Sequence, residues 1–401
     1  MKIAFVSTME GSPWGGSEEL WSRTASVLVR HGHEVSANVI RWRKDAPQIS
    51  ALREVGVIVS NRPSGRSRFQ RLLKRFLPGA SHRWLARVKP ELLIISQGGN
   101  LDGVEWMLKA AELQIPYMTI AQMADETYWP PVEITEPAAK AYRQARQCFF
   151  VSQGNLELTE MQIATRLPQG SVVRNPVNIP ADLDLPLPWP AENDGVFRLA
   201  VVGRLAPAAK GQDILLQVLA MPKWRERPIE VSFYGEGYFK ATLERLLKMM
   251  DLPKARLAGH ASRIDEIWKK NHALLLPSRH EGLPLALVEA MLCGRPGIVT
   301  DVAGNAEMIT DNETGFIAAA AKAACLDEAM ERAWHKRDQW RLIGLDAASR
   351  IKELLPPDPI ADLIQRMKIP PAKTTAQNFT ASKNPGMAIA GDHMKSTPGL
   401  G

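Results

Sequence analysis

Short apolar runs alternate with amphipathic helices along most of this chain of 401 residues, and this alternation constrains the fold most. The first run, at 3–6, has four successive apolar residues, which is typical of a strand buried on both faces of a parallel sheet. A loop with glycines at positions 11, 15 and 16 follows, and then a helix and a second strand at 35–40. The pattern continues to residue 151 and predicts a doubly wound α/β domain.

A proline-rich stretch divides the chain into two halves. Five prolines between positions 176 and 190 preclude a regular helix there, and a new buried strand at 197–202 restarts the alternation. We therefore predict a first domain at 1–178, a linker at 179–196 and a second domain at 197–345, with the ligand in the cleft between the domains. The polar segment 369–401 has no hydrophobic period, so we expect it to be disordered.

Composition and charge limit the class of protein. An apolar share of 45% and a charged share of 23% are those of a globular chain with a sizeable core. The net charge of +7 suits an anionic ligand, an anionic membrane surface or nucleic acid, and does not choose among them. The three cysteines are far apart, so neither a disulfide framework nor a metal-ligand spacing is present. The sequence has no signal peptide and no membrane-spanning apolar run, so we expect a cytoplasmic protein.

Two cations in the second half follow the carboxyl end of a strand, where open α/β sheets bind ligands. Arg204 comes after the strand at 197–202, and Lys210 precedes the next predicted helix. A diphosphate there would gain a bidentate arginine, a mobile lysine and a helix N-terminus. Two surface cations near a loop explain the pattern equally well. Gly235 follows another strand and permits close approach of a ligand, although a tight turn also explains it.

The segment 278–291 carries the strongest chemical signal. Glu281 lies in a loop after a buried strand, and Pro284 suits the first turn of the helix that follows. Glu289 then lies roughly 10 Å further along, a separation that suits the two sugars of a nucleotide-sugar. Carboxylates accept hydrogen bonds from sugar hydroxyls. The alternative is an amphipathic helix with two exposed glutamates, but apolar residues flank Glu289, so its carboxylate requires a partner.

This segment resembles the E-x7-E signature of the retaining glycosyltransferases of the family 4 type, the glycosyl transferases of group 1, which have the GT-B fold. Further similarity to the motifs of that family is found at 15–18, 175–178, 203–204, 210–211, 294–296, 304–307 and 314–316. The resemblance is densest over 197–318. It implies two Rossmann-like doubly wound domains facing a central cleft, with helices at 346–368 crossing back to the first domain.

The resemblance also implies a role for each residue on the donor side. Arg204 and Lys210 would bind the donor diphosphate, Glu289 the ribose hydroxyls, and Glu281 would face the transferred sugar as the catalytic residue. Further donor contacts would come from the start of the helix and from one glycine, namely Gly282, Leu283, Pro284, Leu285 and Gly235. The nucleotide-diphosphate-sugar is then a co-substrate, and the resemblance implies neither another cofactor nor a bound metal.

The first domain would supply the acceptor side. Gly15 and Gly16 would let the first loop approach the donor and the acceptor. Gln122 stands where many relatives have a histidine, after the strand at 117–120. A glutamine can hold a sugar hydroxyl but cannot shuttle a proton. We therefore expect the leaving phosphate of the donor to act as the base in a retaining reaction.

A basic segment at 62–89 holds nine arginine and lysine residues and no acid, with apolar residues interleaved at helical spacing. A basic amphipathic helix is typical of proteins that bind anionic membrane surfaces. We therefore expect peripheral association with a membrane that carries a lipid-linked or anionic polysaccharide acceptor. A solvated face on a helix packed against the core is the alternative.

Three other functions fit the sequence less well than glycosyl transfer does. A sugar-nucleotide epimerase has the same GT-B shape, but it requires several carboxylates and histidines in the cleft, and the chain has only eight histidines. A nucleic-acid-binding protein is disfavoured because no basic, aromatic-rich strand is present and aromatic residues make up only 6% of the chain. A dinucleotide-dependent dehydrogenase is disfavoured because no G-x-G-x-x-G motif follows the first strand.

Overall fold

The computed structural model describes residues 1–63, 80–180, 182–191, 194–261 and 263–370. Most of the basic segment (64–79) and of the predicted disordered tail (371–401) lies outside the described residues. The strands are β1 (Lys2–Ser7), β2 (Glu34–Ile40), β3 (Ile58–Arg62), β4 (Leu92–Gln97), β5 (Tyr117–Ala121), β6 (Gln147–Phe150), β7 (Gly170–Val172), β8 (Phe197–Val202), β9 (Ile229–Tyr234), β10 (Ala255–Gly259), β11 (Ala273–Leu276), β12 (Gly297–Thr300) and β13 (Gly315–Ala318).

Helices separate most of these strands. They are α1 (Gly16–Arg30), α2 (Pro47–Glu54), α3 (Ala80–Val88), α4 (Val104–Glu112), α5 (Val132–Gln144), α6 (Gln153–Gln162), α7 (Pro207–Lys210), α8 (Gln212–Leu219), α9 (Pro222–Glu226), α10 (Lys240–Met249), α11 (Ile264–Trp268), α12 (Leu285–Leu292), α13 (Asn305–Met308), α14 (Ala323–His335), α15 (Trp340–Leu354) and α16 (Pro359–Met367), with a 3₁₀ turn at Arg337–Gln339.

The first domain is built on a parallel sheet with strand order β3-β2-β1-β4-β5-β6-β7. The central strand β1 pairs with β2 from Lys2 opposite Glu34 and with β4 from Ile3 opposite Leu92. Every residue of β4 is buried, because helices cover both faces of the sheet and leave no face for solvent. This explains why the strands read as continuous apolar runs rather than as alternating ones.

The second domain repeats the architecture with strand order β10-β9-β8-β11-β12-β13, and all of its strand pairs are parallel. In both sheets the order reverses beside the first strand of the domain, which is the position where open α/β sheets bind ligands. The two doubly wound parallel sheets are those expected from the alternation in the sequence.

Within the range 346–368 expected to cross back to the first domain, the last helix is the one that packs on that domain. Helix α15 packs along α12 in the second domain, whereas α16 packs on α1 in the first. Leu363 and Met367 are the side chains of α16 that enter the core of the first domain. The amphipathic α16 is capped by Asp358, whose carboxylate accepts from the N–H groups of Ile360 and Ala361. Helix α16 therefore makes the return contact to the first domain.

Candidate active site

Loops from the carboxyl ends of both sheets meet in a cleft. A Cβ at Gly16 would lie 2.5 Å from Cδ1 of Leu285, so the start of α1 touches the start of α12. Across the same cleft, Nδ1 of His280 lies 3.1 Å from a carboxylate oxygen of Asp125. The structure therefore brings the predicted first loop and the predicted acidic segment together, although they are about 270 positions apart.

Arg204 extends from the end of β8 toward the first loop. A Cβ at Gly11 would lie only 2.7 Å from Nη1 of Arg204, so this glycine leaves room for the guanidinium. The side chain is exposed, and within the described residues it has no hydrogen bond or ion pair. Gly235 follows β9, and a Cβ there would lie 2.0 Å from the carbonyl oxygen of Gly203, so the chain approaches closely at the ends of β8 and β9. A guanidinium without a protein partner in a cleft is suited to bind an anion.

Lys210 and Glu281 form an ion pair in the cleft, with 2.7 Å between Nζ and Oε1. The hydroxyl of Ser278 donates to the same carboxylate oxygen at 2.6 Å. Glu281 is 6% exposed, whereas the lysine side chain is 24% exposed. Lys210 lies at the end of the one-turn helix α7, and Gly211 separates it from α8. The structure therefore joins two residues for which the resemblance implies separate roles.

Glu289 is buried in the fifth position of α12 and is 3% exposed. Its Oε1 accepts from the backbone N–H of Asn178 at 3.2 Å, so the partner expected for this carboxylate is a backbone amide from the linker region. Burial raises the pKa of Glu289 to about 7 from the usual 4.5, and the hydrogen bond from Asn178 only partly opposes this shift. Burial thus favours the protonated form of this carboxyl.

Gly282 and Gln122 lie against each other across the cleft. A Cβ at Gly282 would be 1.8 Å from the carbonyl oxygen of Gln122, so only glycine allows this approach. The side-chain oxygen of Gln122 accepts from the amide of Asn175 at 2.7 Å. Its Nε2 is buried and has no hydrogen-bond partner among the described residues. An unpartnered buried donor at a cleft is available to a ligand hydroxyl.

The helix N-terminus predicted at 282–285 is present, with Pro284 as the N-cap of α12. The carbonyl of Pro284 accepts from the N–H groups of Leu287 and Val288, which closes the first turn of the helix. Leu283 is buried in the core of the second domain, so its backbone and not its side chain is available to a ligand. The positive end of the helix dipole therefore lies beside the pair formed by Lys210 and Glu281.

One buried acid at the cleft was not found from the sequence. Glu18 lies in the first turn of α1, is 4% exposed and accepts from the hydroxyl of Ser7 at 2.9 Å. Burial raises its pKa to about 7. The sequence does contain a pattern that indicates a buried acid here, because Glu18 precedes the apolar pair Leu20 and Trp21 just after the glycine loop. The resemblance includes Glu18 only as part of the motif at 15–18.

A second bridge between the domains was also not found from the sequence. Glu307, at the start of α13, accepts from the N–H of Gly154 at 2.9 Å and pairs with Arg174 at 3.2 Å. Arg174 also donates to the carbonyl of Val151 at 2.8 Å. Both charged side chains are mostly buried, with 14% and 21% exposure. Because the partners are 133 positions apart, no local pattern predicts this pair.

The described residues form neither a metal-binding cluster nor a membrane-spanning helix. No group of three or more histidine, cysteine or acidic side chains is arranged to hold a metal ion there. No helix in the described ranges is long and apolar enough to cross a membrane.

The second domain matches a known family. The family described as Glycosyl transferases group 1 matches residues 196–336, which is most of the second domain and includes Arg204, Lys210, Glu281 and Glu289. This confirms the resemblance expected from the motifs at the level of group 1. The narrower designation as family 4 stays a prediction.

Individual relatives agree with this match over part of their length. The chain is 27% identical over 158 residues to the Putative glycosyltransferase EpsD of Bacillus subtilis (strain 168), an alignment that covers 38% of this chain and 42% of the relative. It is 33% identical over 108 residues to the Vi polysaccharide biosynthesis protein VipC/TviE of Salmonella typhi, covering 27% of this chain and 19% of the relative. The alignments therefore span less than half of these two relatives.

A solved structure is similar over nearly the whole chain. The crystal structure of Anabaena Alr3699/HepE in complex with UDP has a TM-score of 0.68 and 16% identity, and covers 92% of this chain and 98% of that one. At this identity the likeness establishes the fold, and it confirms the predicted arrangement of two Rossmann-like domains. The family match and the relatives give no support to the epimerase alternative.

Proposed function

We propose that this chain, whose second domain is a group 1 glycosyl transferase domain, moves a sugar from a nucleoside-diphosphate-sugar to a glycan or lipid-linked acceptor with retention of configuration. The observation that carries the proposal is the cluster of Lys210, Glu281 and Ser278 beside the unpaired guanidinium of Arg204. This cluster combines cations that can bind a diphosphate with a carboxylate that can accept hydrogen bonds from sugar hydroxyls. The first loop and the helix N-terminus enclose the same space.

The donor diphosphate would bind between Arg204, Lys210 and the start of α12. Arg204 offers a guanidinium fork that no described side chain occupies, and a fork can hold two phosphate oxygens at once. Lys210 has three donors, so it can keep its bond to Glu281 while it donates to a phosphate oxygen. The helix dipole at Leu285 adds a further favourable partial charge. These positive groups would offset the charge on the leaving diphosphate, and we propose that no metal is needed.

Glu289 would accept hydrogen bonds from the ribose hydroxyls. Among the described residues, the N–H of Asn178 donates to Oε1 of Glu289 and no group donates to Oε2, so the second oxygen remains for a ligand. A ribose that donates two hydroxyl protons favours the ionised carboxyl. Donor binding is therefore expected to lower the raised pKa of Glu289.

The transferred sugar would lie between Glu281 and Gln122. Glu281 accepts from Ser278 and Lys210 through one oxygen, which leaves Oε2 for a sugar hydroxyl. Gln122 would donate through its unpartnered Nε2, which gives that buried group the hydrogen bond it lacks. Because a glutamine cannot carry a proton, the leaving phosphate would take the proton of the acceptor hydroxyl on the face from which it departs. That arrangement forms the new glycosidic bond with retention.

A binding measurement with a matched control tests the donor site. Calorimetric titration with UDP, GDP and ADP should detect one of them, and Arg204→Ala should weaken its binding about 10- to 100-fold, since a charge-assisted hydrogen bond contributes about 1.5–3 kcal/mol. The control is Arg245→Ala, an exposed arginine on α10 without a partner among the described residues. Equal affinities for the two variants would remove Arg204 from the site.

We also propose that the enzyme acts in the cytoplasm at an anionic membrane surface, through the segment 62–89. Within the described residues, Arg62 points inward and donates to Asn38 at 2.8 Å, and Trp84 and Leu85 of α3 are core residues. The proposed membrane contact therefore depends on residues 64–79, which lie outside the described residues. Flotation with vesicles that contain phosphatidylglycerol tests it, and equal recovery with neutral vesicles would reject it.

A further inference from the structure

A second group of cations lies on the first domain, away from Arg204 and Lys210. The loop that leaves β2 runs from Arg41 to Asp45 and borders an open cavity of about 480 Å³. Its lining residues are Arg41, Trp42, Arg43, Asp45 and Asn61. A cavity of this size accommodates a sugar unit with a charged substituent.

Hydrogen bonds fix the base of this cavity. The amide of Asn61 donates to Asp45 at 3.4 Å, and Arg53 donates to Asn61 at 3.2 Å and to Asp45 at 3.4 Å. The backbone N–H of Arg41 donates to the carbonyl of Arg62 at 2.6 Å, which ties the loop to the end of β3. The single carboxylate of the cavity is therefore already paired with a cation, so it does not neutralise the other two.

The two remaining guanidinium groups have no partner among the described residues. The side chains of Arg41 and Arg43 are exposed, and neither guanidinium makes a hydrogen bond or an ion pair with any residue in the described ranges. Trp42 lies between them in the chain, is half-buried and lines the cavity. Two free guanidinium groups around an indole suit a ligand that combines an oxyanion with an apolar sugar face.

The cavity lies at the same sheet edge as the first loop. The strand order β3-β2-β1 places the ends of β2 and β3 one and two strand spacings from the end of β1, or about 5 and 10 Å. Trp42 and Asp45 also line the adjoining narrow slot, which reaches Met9, Pro13 and Trp14 in the first loop. Trp42 therefore lies between the cavity and the first loop, whose Gly16 meets the start of α12.

We propose that the pocket formed by Arg41, Trp42 and Arg43 binds an oxyanion carried by the saccharide acceptor, either a phosphate ester or a uronic carboxylate. This inference rests on the proposed function, because it assigns the acceptor of that reaction to a chemical class. The two arginines hold the oxyanion, and Trp42 packs against the face of the adjacent sugar. The acceptor is thereby oriented with its uncharged end toward the donor.

A comparison of charged and neutral sugars tests this pocket. Saturation-transfer NMR on the full chain measures the affinity for glucose 6-phosphate, glucuronate and glucose. The double variant Arg41→Gln and Arg43→Gln should lose about tenfold in affinity for the charged sugar that binds. The control is Arg30→Gln with Arg143→Gln, which removes the same charge from the helix ends at the opposite edge of the sheet and should stay within twofold of wild type. Whether glucose 6-phosphate or glucuronate binds shows whether the pocket takes a phosphate ester or a carboxylate.

Three outcomes overturn the proposal: equal affinities in both double variants, glucose binding as tightly as the charged sugars, or no charged sugar binding to the wild type. Titration of the same proteins with UDP, GDP and ADP separates this failure from failure of the proposed function. If a nucleoside diphosphate binds while the arginine variants leave charged-sugar affinity unchanged, the donor assignment stands and the acceptor pocket is rejected. If no nucleoside diphosphate binds, the proposed function itself is rejected.

Discussion

Single residues in the cleft combine burial with a specific partner. Glu289 has a backbone amide and no cation as its partner, so its raised pKa reflects burial that a single hydrogen bond only partly offsets. Glu281 differs, because Lys210 and Ser278 both donate to it. The sequence predicted both glutamates as site residues from their spacing. It could not predict their different environments, because Asn178 and Lys210 are 111 and 71 positions away.

Glu289→Gln should stabilise the ligand-free protein at pH 8 and much less at pH 5. The folded-state pKa of about 7 exceeds the unfolded value of 4.5, so the folded state binds more protons in that window and the free energy of unfolding falls as pH rises through it. The free energy of unfolding of the variant should exceed that of the wild type by about 3 kcal/mol at pH 8 and about 1 kcal/mol at pH 5. Urea denaturation at both pH values measures it. Glu244→Gln, on the exposed face of α10, should show no such difference, and a gain independent of pH would contradict the assignment.

Gln122→Met should lower kcat/KM for transfer about 3- to 10-fold, since one neutral hydrogen bond contributes about 0.5–1.5 kcal/mol. Affinity for the nucleoside diphosphate should stay within twofold, because Gln122 would contact the sugar and not the diphosphate. Steady-state kinetics and calorimetry measure the two effects. The matched control is Gln153→Met at the exposed start of α6. Transfer at the wild-type rate in Gln122→Met would remove this residue from the site.

At the scale of elements, the start of α12 depends on a close approach of the two domains. Gly282 has no room for a Cβ against Gln122, and Gly16 has none against Leu285. The sequence located the strand, loop and helix around Glu281 correctly because buried parallel strands give continuous apolar runs. It could not explain these two glycines, since what restricts each one is a group from the other domain.

Gly282→Ala should reduce transfer at least tenfold while the melting temperature stays within a few degrees of wild type. The added methyl would lie 1.8 Å from the Gln122 carbonyl, so the domains must separate or the loop must move, and either change displaces Glu281. Gly154→Ala is the control at the same interface, where the new Cβ would be 3.6 Å or more from its neighbours. Full activity in Gly282→Ala would show that the contact is not needed for catalysis.

At the scale of the whole molecule, the links between the domains in the described part of the chain include the cleft contacts, the pair of Arg174 and Glu307, and the return of α16 to α1. The two-domain plan was predictable, because each domain begins with its own buried strand and prolines interrupt the helical pattern between them. The contacts that link the two domains were less predictable than the domains themselves. Arg174 lies 133 positions from Glu307, and only the folded sheets bring them together.

Removing the bridge between the domains should favour an open cleft. Arg174→Gln and Glu307→Gln should each lower the free energy of unfolding, with a coupling energy of about 1 kcal/mol in a double-mutant cycle, because the pair is only partly exposed. Small-angle scattering of the donor-free variants should show a larger radius of gyration than the wild type. The pair of Arg166 and Glu160, in which the arginine is 88% exposed, lies within the first domain and gives the control cycle, which should leave the radius unchanged. Additive effects for Arg174 and Glu307 would contradict the proposed link.

The release of a nucleoside diphosphate from a panel of nucleotide-sugars tests the central claim most directly, measured for the wild type and for Glu281→Ala. The wild type should turn over one of the sugars. Glu281→Ala should lose at least 100-fold in turnover while its affinity for the free nucleoside diphosphate stays within about threefold, since this carboxylate would act on the sugar. Glu244→Ala should behave as the wild type. Wild-type turnover by Glu281→Ala, or no turnover of any nucleotide-sugar by the wild type, would contradict the account.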